Sequence, residues 1–110
     1  YADPTKDAFF GKCRDTFTPL GPWIETDLDI AAGLAVRSWV DGELRQDGVT
    51  TDMVLGIGEL VATASSITTL LPGDVILTGT PIGAAPLEPG QRVTCEVAGI
   101  GVLTNPVVRR

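Results

Sequence analysis

Histidine is missing altogether from these 110 residues. That removes the commonest general base and the commonest transition-metal ligand, so any chemistry must rest on Lys, Asp, Glu or Thr, or on groups supplied from elsewhere. Cysteine is scarce. Cys13 and Cys95 lie far apart, fit no metal-binding spacing and are expected as free thiols. A clustered basic face is lacking too: apart from the terminal Arg109-Arg110, the 8 basic residues are scattered among 14 acidic ones, for a net charge of −6. Phosphate backbones require a contiguous cationic surface, so no nucleic-acid partner is expected. No apolar run approaches the roughly 20 residues of a bilayer span. Tyr1-Ala2-Asp3-Pro4 carries no signal-peptide pattern, and the expectation is a soluble, cytoplasmic protein with no membrane partner.

What is present is a globular composition, 44% apolar and 20% charged, sufficient for one domain at most. Residues 1–10 are charged and irregular and form an unplaced N-terminal segment; residues 11–110 read as one unit. Between Gly11 and Trp23, Gly and Pro are too dense for a helix, and an extended piece ending in a Pro19 to Pro22 turn is expected. Thr26 or Asp27 reads as the cap of a short helical turn through Ala31-Ala32, a better account of Asp27-x-Asp29 than a metal pair with no third ligand nearby. Leu34, Val36, Ser38 and Val40 alternate with Ala35, Arg37 and Trp39, which predicts a strand. Asp41-Gly42 then signals a hairpin, Glu43 to Gln46 returns as the second strand, and Asp47-Gly48 turns the chain again.

A helix is predicted from near Thr50-Thr51-Asp52, where a hydroxyl cap and an acid suit its positive end, with Met53, Ile57, Leu60, Val61 and Ala64 as its apolar stripe. Gly56 and Gly58 weaken it by about 1 kcal/mol each relative to Ala. Two Leu-x-Pro-Gly turns come next, each launching a strand: Val75 to Thr78 after the first, Arg92 to Ala98 after the second. In the latter, Val93, Cys95 and Val97 share a face, making Cys95 a small buried apolar residue and not a nucleophile. Val102 to Val108, broken by Pro106, reads as an edge strand. The fold class is mainly β with one or two helices.

The stretch built for chemistry is Leu71-Pro72-Gly73-Asp74-Val75-Ile76-Leu77-Thr78-Gly79-Thr80-Pro81-Ile82-Gly83. A glycine at a strand end lets a ligand approach the backbone, the hydroxyls and N–H around Thr80 can grip an anionic oxygen, and Pro81 stiffens the turn beyond it. The competing reading is a strand ending in a tight turn. Lys12, directly after Gly11, can place an ammonium beside an anion site; the competing reading is a solvated surface lysine.

Taken in order, Gly11-Lys12-x-x-Asp15-Thr16-Phe17-x-Pro19-x-Gly21-Pro22-Trp23, Asp41-Gly42-Glu43-x-x-Gln46, Asp52-Met53, the Leu71 to Gly83 stretch and Gly99-Ile100-Gly101-x-Leu103-x-Asn105-Pro106-Val107 resemble the fumarylacetoacetate hydrolase family. The branch it looks like holds the acylpyruvases and 2-hydroxyhepta-2,4-diene-1,7-dioate isomerases. The resemblance implies a mixed, mostly β fold (the C-terminal portion of a β-sandwich or roll) assembled as a homodimer or larger. It also implies a Mg2+- or Mn2+-dependent site for 2-oxo acids or their enols, where the cation acts as a Lewis acid on the forming enolate. The reaction is acylpyruvate or fumarylpyruvate C–C hydrolysis or diene-dioate isomerisation, with oxaloacetate decarboxylation as an alternative.

Carried over residue by residue, the resemblance makes Lys12 the electrostatic and proton-handling group, Thr80 a contact to the substrate carboxylate with Gly79 allowing the approach, and Thr16 a residue at a second, structural cation. The family's Glu-x-Glu and Asp metal ligands and its His-Glu acid/base pair precede the Gly-Lys motif and have no counterpart here: no Glu comes before Glu25, and Asp3 and Asp7 sit in no recognisable motif. Cys13-Arg14 stands where Ser-Phe is usual. The chain therefore looks like the C-terminal half of a family member, supplying the substrate side of a site whose main metal ligands lie elsewhere. The reading from another class is a non-catalytic β-rich dimerisation module.

Overall fold

A computed structural model describes residues 13–109. Strands β1 (Ala35–Val40) and β2 (Glu43–Val49) form the expected hairpin. Its turn needs two left-handed residues, and Asp41 (φ +52°) and Gly42 (φ +85°) supply them, giving a twist that suits the flanking strands. Asp47-Gly48, expected to turn the chain, instead stays in β2, opposite Arg37 and Val36. Cross-strand pairing outweighs local turn preference there: Arg37 Nε lies 2.9 Å from Asp47 Oδ1. Gly48 serves clearance, since a β carbon would stand 3.0 Å from Pro81 Cγ. The register slips between Ser38 and Trp39, whose partners are Gln46 and Leu44, leaving Arg45 as the extra residue of a bulge.

Strands β3 (Arg92–Val97) and β4 (Gly101–Pro106) form a second hairpin, and β3 pairs with β1 to give an antiparallel sheet in the order β2-β1-β3-β4. Asp41 and Arg92 lock the two hairpins together: Asp41 N–H donates to Arg92 O at 2.9 Å, and Arg92 N–H donates to Asp41 Oδ1 at 2.8 Å. β4 is an edge strand, as expected, and ends at Pro106, which has no N–H to donate. The mainly β class read from the sequence holds.

The two Pro-Gly turns use one device twice. Asp74 N–H donates to Leu71 O while Asp74 Oδ2 accepts from Leu71 N–H; likewise Gln91 N–H donates to Glu88 O while Gln91 Oε1 accepts from Glu88 N–H. Gly73 (φ +99°) and Gly90 (φ +96°) take the left-handed position. The second turn launches β3, but the first launches no strand. Residues 75–78 belong to no ladder: the sheet has open edges at β2 and β4, but the segment pairs with neither.

The predicted helix is divided. Thr50–Asp52 is a 3₁₀ turn, and the α-helix α1 runs Ile57–Ile67, its Gly56 N–H held by Glu59 Oε2 at 2.8 Å. Thr50 does not cap it: its hydroxyl accepts from Leu34 N–H at 2.9 Å, extending the first hairpin. Ile57, Leu60 and Ala64 of the stripe are half-buried, Val61 is exposed, and no residue of α1 is buried. The earlier 3₁₀ turn, Ile30–Ala32, is capped by Asp29, whose Oδ1 accepts from Ala31 and Ala32 N–H; the N–H groups of Thr26 and Asp27 are taken up by Glu25 Oε1.

Among the described residues, Val40 and Ser38 are the buried ones, side by side with Cys95 on the same sheet face. Cys95, expected to be buried, is exposed. The segment 83–87 crosses this face without sealing it, leaving a gap of about 160 Å3 lined in part by Ser38, Val40, Val93 and Cys95. The surrounding protein still displaces enough water to push the Cys95 thiol above its ordinary value. No helix among the described residues is long and apolar enough to cross a membrane.

Candidate functional site

Strand β2 is the platform on which the Thr80 loop is seated. Its alternation points Gln46 and Gly48 to the face shared with Ser38, and the loop arrives over them. Gln46 Nε2 donates to Thr80 Oγ1 and to Pro81 O, each at 2.7 Å. Gln46 Oε1 in turn accepts from Ser38 Oγ at 2.8 Å. Pro81 packs on Gly48, and Gly83 (φ +108°) lies so close to the strand that a β carbon there would run into the Arg45 carbonyl oxygen. These contacts fix the loop from 80 to 83 at several points on one strand.

Gly79 also has φ +108°, but a β carbon added to it would meet nothing within 4 Å. That side of Gly79 is therefore open space. Thr78 to Ile82 form one wall of a cleft of about 650 Å3, and Gly48 to Thr50 with Asp52 to Leu55 and Leu60 form much of the rest. Thr80 is exposed on this wall. Its hydroxyl accepts from Gln46, which leaves its own proton for another acceptor.

Of the residues singled out from the sequence, the structure brings Gly79 and Thr80 into this cleft. Thr16 sits with φ +69° in an exposed turn closed by Phe17 N–H donating to Arg14 O at 3.0 Å, and is not among the residues lining the cleft. Lys12 lies outside the described residues. Among the described residues no group of three or more His, Cys, Asp or Glu could hold a metal ion. They offer donors for an anion and no carboxylate cage for a hard divalent cation, so they do not by themselves fit a Mg2+ or Mn2+ site. Gln46 and Ser38 were given no role from the sequence. Gln46 stands in the Asp41-Gly42-Glu43-x-x-Gln46 motif, and both residues alternate within predicted strands, but these signals do not say what reaches the shared face.

The family profile described as "Fumarylacetoacetate (FAA) hydrolase C-terminal" matches residues 1–108, and the chain belongs to that family. Protein Rv2993c of Mycobacterium tuberculosis is 52% identical over 101 residues, covering 90% of this chain and 38% of that protein. The crystal structure of 5-carboxymethyl-2-hydroxymuconate delta-isomerase from Mycobacterium smegmatis matches with a TM-score of 0.85 at 55% identity, over 88% of this chain and 38% of that one. Maleylpyruvate hydrolase from Sphingobium sp. SYK-6, solved with manganese (II) ion and pyruvate, matches with a TM-score of 0.81 at 44% identity, over 86% of this chain and 36% of that one. The chain thus spans well under half the length of these relatives.

Proposed function

We propose that this chain forms the substrate-carboxylate side of a divalent-metal-dependent hydrolase or isomerase of 2-oxo acids or their enols. The observation that carries the reading is the Thr80 loop: a hydroxyl with its proton uncommitted, beside a glycine whose approach is open, on the wall of a cleft large enough for a small acid. Membership of the family and a relative solved with manganese and pyruvate support a divalent cation and a short 2-oxo acid. Mg2+ and Mn2+ are both suited to oxygen ligands.

In this reading Thr80 donates to the substrate carboxylate and Gly79 leaves room for it. Pro81, packed on Gly48, keeps the loop from yielding as the ligand binds. Lys12 supplies a positive charge beside the reacting oxygen and handles a proton there, and Thr16 serves a second, structural cation. A main cation would need ligands outside the described residues, and would there supply Lewis-acid stabilisation of enolate charge. The protein acts as a homodimer; the exposed apolar side chains of Leu20, Trp23 and Ile24, which do not line the cleft, support a surface that is covered in the assembled molecule.

The test is turnover by the whole protein that carries this chain. Acetylpyruvate, fumarylpyruvate, 2-hydroxyhepta-2,4-diene-1,7-dioate and oxaloacetate are each followed by ultraviolet absorbance with Mg2+, with Mn2+ and with EDTA. Cation-dependent conversion of at least one, abolished by EDTA, is expected. A folded protein that converts none of them with either cation would overturn the reading and leave a non-catalytic module.

A further inference from the structure

We infer that Gln46 is a positioning residue that holds the Thr80 hydroxyl as a hydrogen-bond donor toward an anionic substrate oxygen. The inference rests on the reading of Thr80 as a substrate contact and deepens it. The orientation of the Gln46 amide is set by chemistry at both ends. Pro81 O, 2.7 Å from Nε2, is a carbonyl and can only accept, so the NH2 group must face the loop. Oε1 then faces β1, where Ser38 Oγ donates to it at 2.8 Å. Ser38 is buried, which shields this bond from exchange with water.

With one N–H on Pro81 O, the other is directed at Thr80 Oγ1. The hydroxyl accepts there and turns its proton elsewhere. Thr80 is exposed on the cleft wall, so the proton is available to a ligand, and a carboxylate or enolate oxygen is the complementary acceptor. The Arg45 bulge is what allows the arrangement: after it, Gln46 comes level with Ser38 and below the returning loop. A glutamate at 46 would reverse the polarity. Its carboxylate would take the Thr80 proton, leaving lone pairs facing the substrate, and would confront Pro81 O with a second acceptor.

The test uses the whole protein at saturating divalent cation with a 2-oxo acid that the wild type turns over. Steady-state kinetics and urea midpoints are measured for Thr80→Val, Gln46→Leu, Gln46→Glu and the Thr80→Val/Gln46→Leu double variant. Each single variant is expected to raise KM about tenfold, the scale of one hydrogen bond to a charged group, with a smaller change in kcat. The double variant should match Thr80→Val within about twofold, because Gln46 acts through Thr80. Gln46→Glu keeps the length of the side chain, so its raised KM separates polarity from packing. If Gln46→Leu fails to fold, Gln46→Glu with and without Thr80→Val decides alone. An unchanged KM in Thr80→Val removes the underlying reading. A raised KM in Thr80→Val beside an unchanged KM in folded Gln46→Glu, or effects that multiply in the double variant, overturns the role of Gln46 alone.

Discussion

Replacing Gly83 by alanine probes how tightly the Thr80 loop is seated. Gly83 has φ +108°, and its added β carbon would collide with the Arg45 carbonyl oxygen while standing 3.2 Å from the carbonyl carbon and 3.3 Å from Gln46 Cγ. Two of these atoms are strand backbone, which cannot swing aside, so the loop must lift. Gly79 shares the same φ but has nothing within 4 Å of the added carbon, which makes it the reference for strain without collision. Strain of this kind costs about 1–3 kcal/mol at either position. Lifting the loop also loosens the two hydrogen bonds from Gln46 to Thr80 and Pro81, each worth about 1 kcal/mol net. Gly83→Ala should therefore destabilise by about 2 kcal/mol more than Gly79→Ala. Urea unfolding followed by tryptophan fluorescence measures both, Trp39 lying within β1. Equal destabilisation of the two variants would refute the close seating of the loop.

Three further outcomes are expected. Lys12→Ala should lower kcat at least tenfold with the urea midpoint unmoved, whereas unchanged turnover would make Lys12 a solvated surface lysine; loss of one catalytic group is typically worth about 10²–10⁴ in rate. Asp29→Ala should cost about 1 kcal/mol in urea unfolding, because one carboxylate oxygen serves two N–H groups of the 3₁₀ turn. In a Cys13→Ser background, Cys95 should be alkylated by iodoacetamide more slowly in the native protein than in urea at pH 8. Its thiol is pushed up on folding, so the native thiolate fraction is the smaller at any given pH and the native rate climbs at higher pH. Equal rates in both states would remove that account.

Features set by one or two neighbouring residues were legible in the sequence. Asp41-Gly42 announces its turn because few other pairs accept two positive φ values, and Pro106 announces an edge because it lacks a donor. Asp47-Gly48 looked the same as a turn and was not one. Its glycine answers to Pro81, a residue far along the chain, and no local rule contains that contact. Thr50 misled for a similar reason: a hydroxyl before an acid resembles a helix cap, yet the tertiary partner Leu34 claims it, and the helix starts later at Gly56. Residues 75–78 carried the pattern of a strand, but pairing is a property of two segments, and this one lies along neither open edge of the sheet. In the candidate site, Gly79 and Thr80 could be named from the loop they make. The hydrogen bonds of Gln46 could not, because they depend on a bulge that sets its register and on a loop 34 residues away.

The bond between Arg92 N–H and Asp41 Oδ1 joins residues 51 apart, and it bears on the order in which the protein assembles. Each hairpin forms from neighbours and is fast, on the order of microseconds. Joining the hairpins requires the intervening chain, with α1 and the Thr80 loop in it, to close on itself, and such long-range closure is the slow part of folding. Asp41 accepts that N–H from within its own left-handed turn, so one residue serves both the first hairpin and its junction with the second. The seating of the Thr80 loop is thus acquired late. In mild denaturant it should also be the first thing lost, while both hairpins still give a β signal.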